Sequence, residues 1–467
     1  MPAPGLEAAR LAAVRQLSKV FENRCAALLG GRKWFSHFES WLWSSRAALM
    51  SDANPVPILC ASATDAELLR KLCAAGAGEA EATKLCEDLS SLASKLDAEI
   101  QTQRTSLEMC HSAVSVSEDT TTGLITLCCR GVDVQCTSQH WAKLEALYTT
   151  TRSRRECVSK RSQLHVRSSK RRRTAEAAPG SVDHVGALDF FQIRSAPAAA
   201  TTLDVRNTRQ RQQRPTARAQ MAMRAAAAHE GASALTEEHF ASHAFSCLAR
   251  VLALQGGHEK AGGMQAACPA ALFDAVRRHF GVAAELFASP LNARFPTYCS
   301  AGADVDAPFG SVGSFFGSKP RCGAYLANPP FSPCVVEAMA RRMARLLDVA
   351  SANDEALTFI VVMPHWPDKT CWQRLVAQRH MRRHMLIKQQ EHGYVEGGQQ
   401  YQAVQRWRPS NHDSSILLLQ SDAAWRTLPL TSAIESDMRD AFLGHCARSK
   451  RFQRRVNHAE DNQKQNH

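Results

Sequence analysis

Ala324-Tyr325-Leu326-Ala327-Asn328-Pro329-Pro330-Phe331-Ser332-Pro333 is the stretch that decides the fold. Its first four residues form a short apolar run, and the next four form a tight loop. Ser332 suits a helix N-cap and Pro333 the first helical position. Val335, Val336, Met339, Met343, Leu346 and Leu347 then recur at a helical period. Leu357-Thr358-Phe359-Ile360-Val361-Val362-Met363 follows, apolar on both faces, as a central parallel strand is. Together these segments make a βαβ unit. Its loop lies at the carboxyl end of the first strand, where open α/β sheets bind ligands.

Working outward, further strands are expected at Val282–Phe287, Met385–Lys388 and Ser415–Gln420, alternating with helices from Thr236 to about residue 425. The first 110 residues read as helical: Leu6–Val20, Trp34–Leu49, Thr64–Ala74 and Glu79–Cys110. Phe35, Phe38, Trp41, Leu42 and Trp43 have the spacing of core residues. Leu124–Cys129 and Val132–Cys136 around Gly131 read as a hairpin, and Thr137 or Ser138 caps a helix running through Tyr148. The expected organisation is a mainly helical domain over 1–149, a basic, low-order insertion over 150–235, an α/β domain over 236–430, and a C-terminal helix with a basic tail over 431–467. Thr216–His229 is a candidate helix within the insertion.

The chain has 467 residues, enough for two or three cores, and a net charge of +13. Arg152–Arg173 holds ten Lys/Arg against one acid, and Val205–Arg224 holds six Arg and no acid, so the basicity belongs to the central stretch. Such a stretch suits phosphate backbones or a solvated linker, and Lys170-Arg171-Arg172-Arg173 suits nuclear import. No apolar run approaches a membrane span, and Met1-Pro2-Ala3-Pro4-Gly5 does not begin a signal peptide. The sixteen cysteines are scattered without a Cys-x-x-Cys pair, which reads as reduced, mostly buried thiols and no zinc site. His380 and His384 read as a surface pair rather than metal ligands.

The loop has a chemistry of its own. An aryl amine carries two N–H donors. The Asn328 side-chain oxygen can accept one and the Pro329 carbonyl the other, since proline keeps its acceptor while losing its donor. Two acceptors fix the nitrogen and favour the cation that develops as it attacks a methyl sulfonium. Pro330 stiffens the loop, and Phe331 can stack on a base. On residues alone, the loop also fits a plain turn.

Phe287-Ala288-Ser289-Pro290-Leu291-Asn292, Tyr298-Cys299-Ser300-Ala301, Asp304-Val305-Asp306, Phe309-Gly310-Ser311, the Ala327–Phe331 loop, Pro364-His365-Trp366 and Glu391-His392-Gly393-Tyr394 stand in one order and spacing. In that order they resemble the cap-specific adenosine N6-methyltransferases, a family also named for binding the phosphorylated tail of RNA polymerase II. Arg32–Trp43 and Leu124–Tyr148 resemble its helical domain. The resemblance covers most of residues 6–148 and 236–425. It implies a Rossmann-like methyltransferase sheet with an N-terminal mainly helical domain. It also implies S-adenosyl-L-methionine as donor and the first transcribed adenosine of capped mRNA as acceptor, in the nucleus. Asn328, Pro329, Pro330 and Phe331 are then the catalytic loop and border the cofactor, with Ser289, Asp304 and Asp306 as further cofactor candidates.

Trp366 beside Asp368 offers a cationic cap ring a π face and an acid. Pro367 and Lys369 flank them, and Arg32 and Lys33 are further substrate-side candidates. The sequence also departs from the family. Vertebrate members carry an N-terminal WW module that binds the polymerase, and none is read here, which leaves the polymerase tail without a docking module. Pro333 stands where the family places an acid. Pro367-Asp368-Lys369 replaces Arg-Glu-Pro. Two other readings share the loop: a catalytically silent capped-RNA-binding relative, and an amine methylase for another nucleic acid or for protein glutamine.

Overall fold

The computed structural model describes residues 3–29, 35–47, 66–109, 113–173, 237–257, 266–389, 391–395 and 407–443. Residues before Arg155 and after Phe240 pack as one compact unit, and Arg155–Phe240 form a second.

The N-terminal part is helical. Helices α1 (Pro4–Leu29), α2 (Phe35–Ala47), α3 (Ala66–Ala74) and α4 (Glu79–Met109) pack through apolar stripes. Phe38, Trp41, Leu42 and Trp43 of α2 are buried, as their spacing implies. Helix α1 runs nine residues past Val20, where the sequence reading ended it, because Phe21, Cys25 and Leu29 extend its buried face. An antiparallel meander follows: β1 (Ser115–Asp119), β2 (Leu124–Cys129) and β3 (Val132–Thr137). Arg130 and Gly131, both at positive φ (51° and 74°), close the β2–β3 hairpin in the mirror-image turn that two-residue connections favour. Strand β1 is exposed along its whole length and carries little apolar periodicity, so it was not expected. Helix α5 (Ser138–Arg173) does not stop at Tyr148 but continues through the first basic block.

After α6 (residues 237–254) comes the α/β part. Helix α7 (Ala270–Phe280) ends on Gly281, whose φ of 67° lets its N–H reach back to Arg277 and Val276. A six-stranded sheet is built from β4 (Ala284–Ala288), β5 (Thr297–Ser300), β6 (Gly323–Ala327), β7 (Leu357–Pro364), β8 (Met381–Ile387) and β11 (Ser414–Gln420). Its spatial order is β5-β4-β6-β7-β11-β8. Strands β4 to β7 are mutually parallel, while β11 runs antiparallel between β7 and β8. The sheet is thus mostly parallel, and the expected βαβ unit is present as β6, α9 (Pro333–Ala352) and β7. All eight residues of β7 are buried. Ser332 takes the N-cap of α9 and Pro333 its first position, but the Ser332 hydroxyl makes no cap bond.

Short elements complete the part: α8 (Ala303–Asp306), a 3-10 turn at Ala307–Phe309, α10 (Thr370–Val376), the pair β9 (Gly393–Val395) and β10 (Trp407–Pro409), α11 (Asp422–Thr427) and α12 (residues 432–443). One face of the sheet (Leu326, Ile360, Val362, Ile416 and Leu418) joins Leu272 and Phe273 of α7 and Phe442 of α12 in a single core. Tyr325 and Phe359 pack against each other on alternate positions of β6 and β7, with Phe315 against Phe359.

His380 and His384 are not a surface pair. His380 is buried against Asp348 just before β8, and His384 points from β8 to Ser415. The described cysteines are free and mostly buried. Among the described residues no helix is long and apolar enough to cross a membrane.

Candidate active site at the switch point of the sheet

The chain leaves β4 outward to β5, then crosses back over β4 to lay down β6 on its other side. Connections on the two sides of such a point diverge and leave a crevice at the carboxyl ends of the strands. The Asn328 loop follows β6 and the Ser289 loop follows β4, so they flank this crevice.

The Asn328 amide is held from one side only. Its Nδ2 donates to the Ala266 carbonyl at 2.8 Å. Its Oδ1 is buried and accepts no hydrogen bond among the described residues. A buried acceptor without a donor costs about 1–3 kcal/mol, so it marks a place where a donor belongs. Ala266 is itself fixed, because Ala267 exchanges two 2.8 Å backbone hydrogen bonds with Val395 of β9. Pro330 accepts the Ser332 N–H at 2.7 Å, closing the loop. No hydrogen bond reaches the Pro329 carbonyl among the described residues.

A cavity of about 10 Å³ opens between Asn328, Glu285, Asn292, Phe287 and Leu326. Glu285 pairs in register with Leu326, so its side chain shares the Asn328 face of the sheet. Burial pushes its carboxyl up to about 7, although the Phe295 and Arg294 N–H groups, at 2.9 and 2.6 Å, pull the other way. Sequence reasoning missed Glu285. The signal was present: it is the one acid in an otherwise apolar strand.

Ser289 spends its polar groups locally, its N–H and hydroxyl both donating to Asn292 Oδ1 at 2.7 and 3.1 Å. Beyond β5, Asp304 is gripped through both oxygens by Arg250 at 3.0 and 3.2 Å. Arg250 is buried and also donates twice to Glu7 of α1 at 2.8 Å. Asp306 lies fully buried near Ser300 and Cys247, and desolvation pushes its carboxyl up to about 7. Of the two acids, only Asp304 keeps part of its carboxylate exposed.

On the other flank, Phe331 meets three rings edge to face: Tyr394 at 5.5 Å, His412 at 6.0 Å and Trp366 at 6.4 Å. Two consecutive serines at the start of β11 organise rings on the two faces of the sheet, and Ser414 holds this wall. Ser414 Oγ lies 2.7 Å from both Tyr394 OH and His392 Nε2. Ser415 Oγ, on the opposite face, gathers His365, His384 and the Trp372 indole at 3.0–3.2 Å. Burial lowers His384, His392 and His412 below the usual imidazole range, so these rings are neutral at pH 7. Trp366, Pro367, Asp368 and Lys369 form the turn after β7, with Asp368 exposed and 3.6 Å from the Lys369 ammonium.

The structure therefore brings together Asn328–Phe331, Ser289 and the Trp366–Lys369 turn at one edge of the sheet. Asp304 stands at the same edge, bound to Arg250. Arg32 and Lys33 lie outside the described residues. No group of three or more His, Cys, Asp or Glu is placed to hold a metal among the described residues.

Residues 223–397 match the family model described as the phosphorylated CTD interacting factor 1 WW domain. The described part of that stretch contains α6, α7, the strands β4 to β8 and β9, so it carries most of the sheet and the Asn328 loop. The chain is 37% identical over 180 residues to an mRNA (2'-O-methyladenosine-N(6)-)-methyltransferase of Homo sapiens, covering 36% of this chain and 24% of that protein. It is 35% identical over 180 residues to the protein of the same description from Mus musculus, with the same coverage. The chain thus matches about a quarter of the length of these curated relatives.

Proposed function

We propose, from the premise that residues 223–397 belong to the phosphorylated CTD interacting factor 1 family, that this protein transfers a methyl group from S-adenosyl-L-methionine to the N6 amine of the first transcribed adenosine beside the 7-methylguanosine cap of mRNA. One observation carries the reading: among the described residues Asn328 Oδ1 is buried without a donor while its Nδ2 is tied to Ala266. The oxygen is thereby oriented to accept an N–H from outside the chain. The relatives' activity supplies the amine, that of a 2'-O-methyladenosine in mRNA.

The strand order supports a Rossmann-like methyltransferase sheet, with the switch point between β4 and β6 and the reversed strand β11 next to the far edge. The donor set fits the cofactor. Glu285 of β4 and Asn328 after β6 place acceptors side by side on one face of the sheet, which suit a ligand carrying an ammonium and a sulfonium. The Ser289 loop would hold the cofactor at the end of β4, with the Asp304–Arg250 pair and Asp306 fixing the turn after β5. When bound, S-adenosyl-L-methionine supplies an electrophilic methyl group.

Asn328 Oδ1 and the Pro329 carbonyl accept the two N–H groups of the amine and so aim its lone pair. Pro330 keeps the loop stiff. Phe331 stacks on the base, braced from behind by Tyr394, His412 and Trp366. No base has to act before the attack, because the amine's proton becomes acidic only as nitrogen gains the methyl. Trp366 and Asp368 offer a π face and an acid to the cationic cap ring, and Lys369 a cation to the triphosphate bridge. Lys170–Arg173 would direct the protein to the nucleus.

The test is methyl transfer to capped RNA beginning with A, against the same RNA uncapped or beginning with G. Transfer to the capped A-initiated RNA alone is expected. Equal transfer to uncapped RNA would overturn the cap assignment, and no transfer with S-adenosylhomocysteine still bound would make the protein a silent binder.

A further inference from the structure

Helices α9 and α10 both begin at the proposed site. Pro333 follows Phe331 by two residues, and Thr370 follows Lys369 directly. The two helices pack against each other and leave an open groove of about 750 Å³ on their outer side. Its floor is small: Ala340, Ala344 and Ala377. Its rim is cationic, with Arg341, Arg345 and Arg374.

The charges do not cancel. Arg341 and Arg374 both donate to the same oxygen of Glu337, so one carboxylate serves two guanidinium groups. Arg345 makes no ion pair or hydrogen bond among the described residues and is exposed. One turn further on, Asp348 is already shared by Arg379 and His380. Arg341 and Arg345 stand one helical turn apart, ~6 Å, comparable to successive phosphates on an extended strand. Thr370 adds a hydroxyl without negative charge, while Gln373 and Gln378 each donate one amide N–H to a carbonyl, of Pro367 and Ala340. A groove floored by methyl groups and edged by planar, bidentate cations fits a chain of phosphates better than an apolar segment.

We propose that this groove receives the phosphodiester backbone of the single-stranded RNA leading away from the methylated nucleotide. The proposal rests on the capped-RNA reading and extends it to a length dependence: RNA long enough to reach past Thr370 gains contacts that a capped trinucleotide cannot make.

The experiment compares the full chain with Arg341→Ala/Arg345→Ala. Methyl transfer is measured on a capped trinucleotide and on a capped RNA of about twenty nucleotides, and binding of an uncapped, fluorescently labelled twenty-nucleotide RNA is measured by anisotropy over a salt series. The expected result is a KM raised about five- to ten-fold on the long RNA alone, kcat unchanged, and a log–log salt slope shallower by about 1.4, the value for two single-strand phosphate contacts. Arg345→Lys should keep most of the slope. Equal losses on short and long RNA, an unchanged slope, or competition by polyglutamate as strong as by RNA would overturn the proposal. Should the wild-type protein transfer no methyl group, the anisotropy series still decides the groove, so the two readings fail separately.

Discussion

The ends of β5 and β6 lie two strands apart on one edge of the same sheet, and both present acceptors. They differ in what those acceptors do. After β5, Asp304 is bound through both oxygens by Arg250, which is in turn held by Glu7. After β6, Asn328 keeps one oxygen buried and without a donor among the described residues. Residue type alone ranks the aspartates as the stronger ligands. Partnering reverses that order: the β5 end is a structural clamp between α1, α6 and the sheet, whereas the β6 end retains hydrogen-bonding capacity for a ligand.

The largest effect should come from the clamp. Glu7→Ala leaves the buried Arg250 and neighbouring Arg10 short of a carboxylate and should cost about 3–5 kcal/mol of stability in urea titrations. Turnover per folded molecule should change little. A comparable loss of kcat with unchanged stability would turn the comparison around. Asn328→Ala should behave in the opposite way. Methyl transfer should fall ~10²–10³-fold, the cost of losing one preorganised group at a developing charge, with stability within about 1 kcal/mol and S-adenosylhomocysteine still bound. Retained turnover would remove Asn328 from the chemistry.

The third effect is a pH dependence. Glu285 and Asp306 titrate near 7 in the folded chain, above the carboxylate range of an unfolded one. Between about pH 4.5 and 7 the folded state therefore holds the extra protons. Stability should fall as pH rises through that window and level off above it, by at most roughly 3 kcal/mol for Glu285 and roughly 4 kcal/mol for Asp306. Glu285→Gln should remove its share of the slope between pH 5 and pH 8. A slope of the opposite sign would mean that Glu285 is charged and paired in the folded state. Smallest is Ser414→Ala, which deprives Tyr394 and His392 of a shared partner. It should cost about 1–2 kcal/mol and raise KM for RNA a few-fold, because the wall behind Phe331 loosens.

Strands β4, β6, β7 and β11 were legible because a doubly covered strand leaves a nearly continuous apolar run, whereas edge strand β8 was read only from Met385, since Arg382-Arg383-His384 break the run in its first half. The Asn328 loop was legible because Asn-Pro-Pro before a Ser-Pro helix start restricts the backbone locally. Strand β5 was quoted only as Tyr298-Cys299-Ser300, since four edge residues carry too little periodicity to stand out. The roles of Arg250, Ser414 and Ser415 left no local trace. Each acts on partners far along the chain, and Arg250 meets Glu7 across 243 positions.

The sequence by itself determined the βαβ unit, the place of the Asn328 loop at the end of its first strand, and the helical character of the described N-terminal segments. These depend on periodicity and on the local restrictions of proline and serine. Only the tertiary structure decided which acceptors are free. That depends on donors brought from distant segments — Ala266 leaving Asn328 Oδ1 open, Arg250 closing Asp304 — and satisfaction of a buried polar group is a property of the packed environment, not of the residue that carries it.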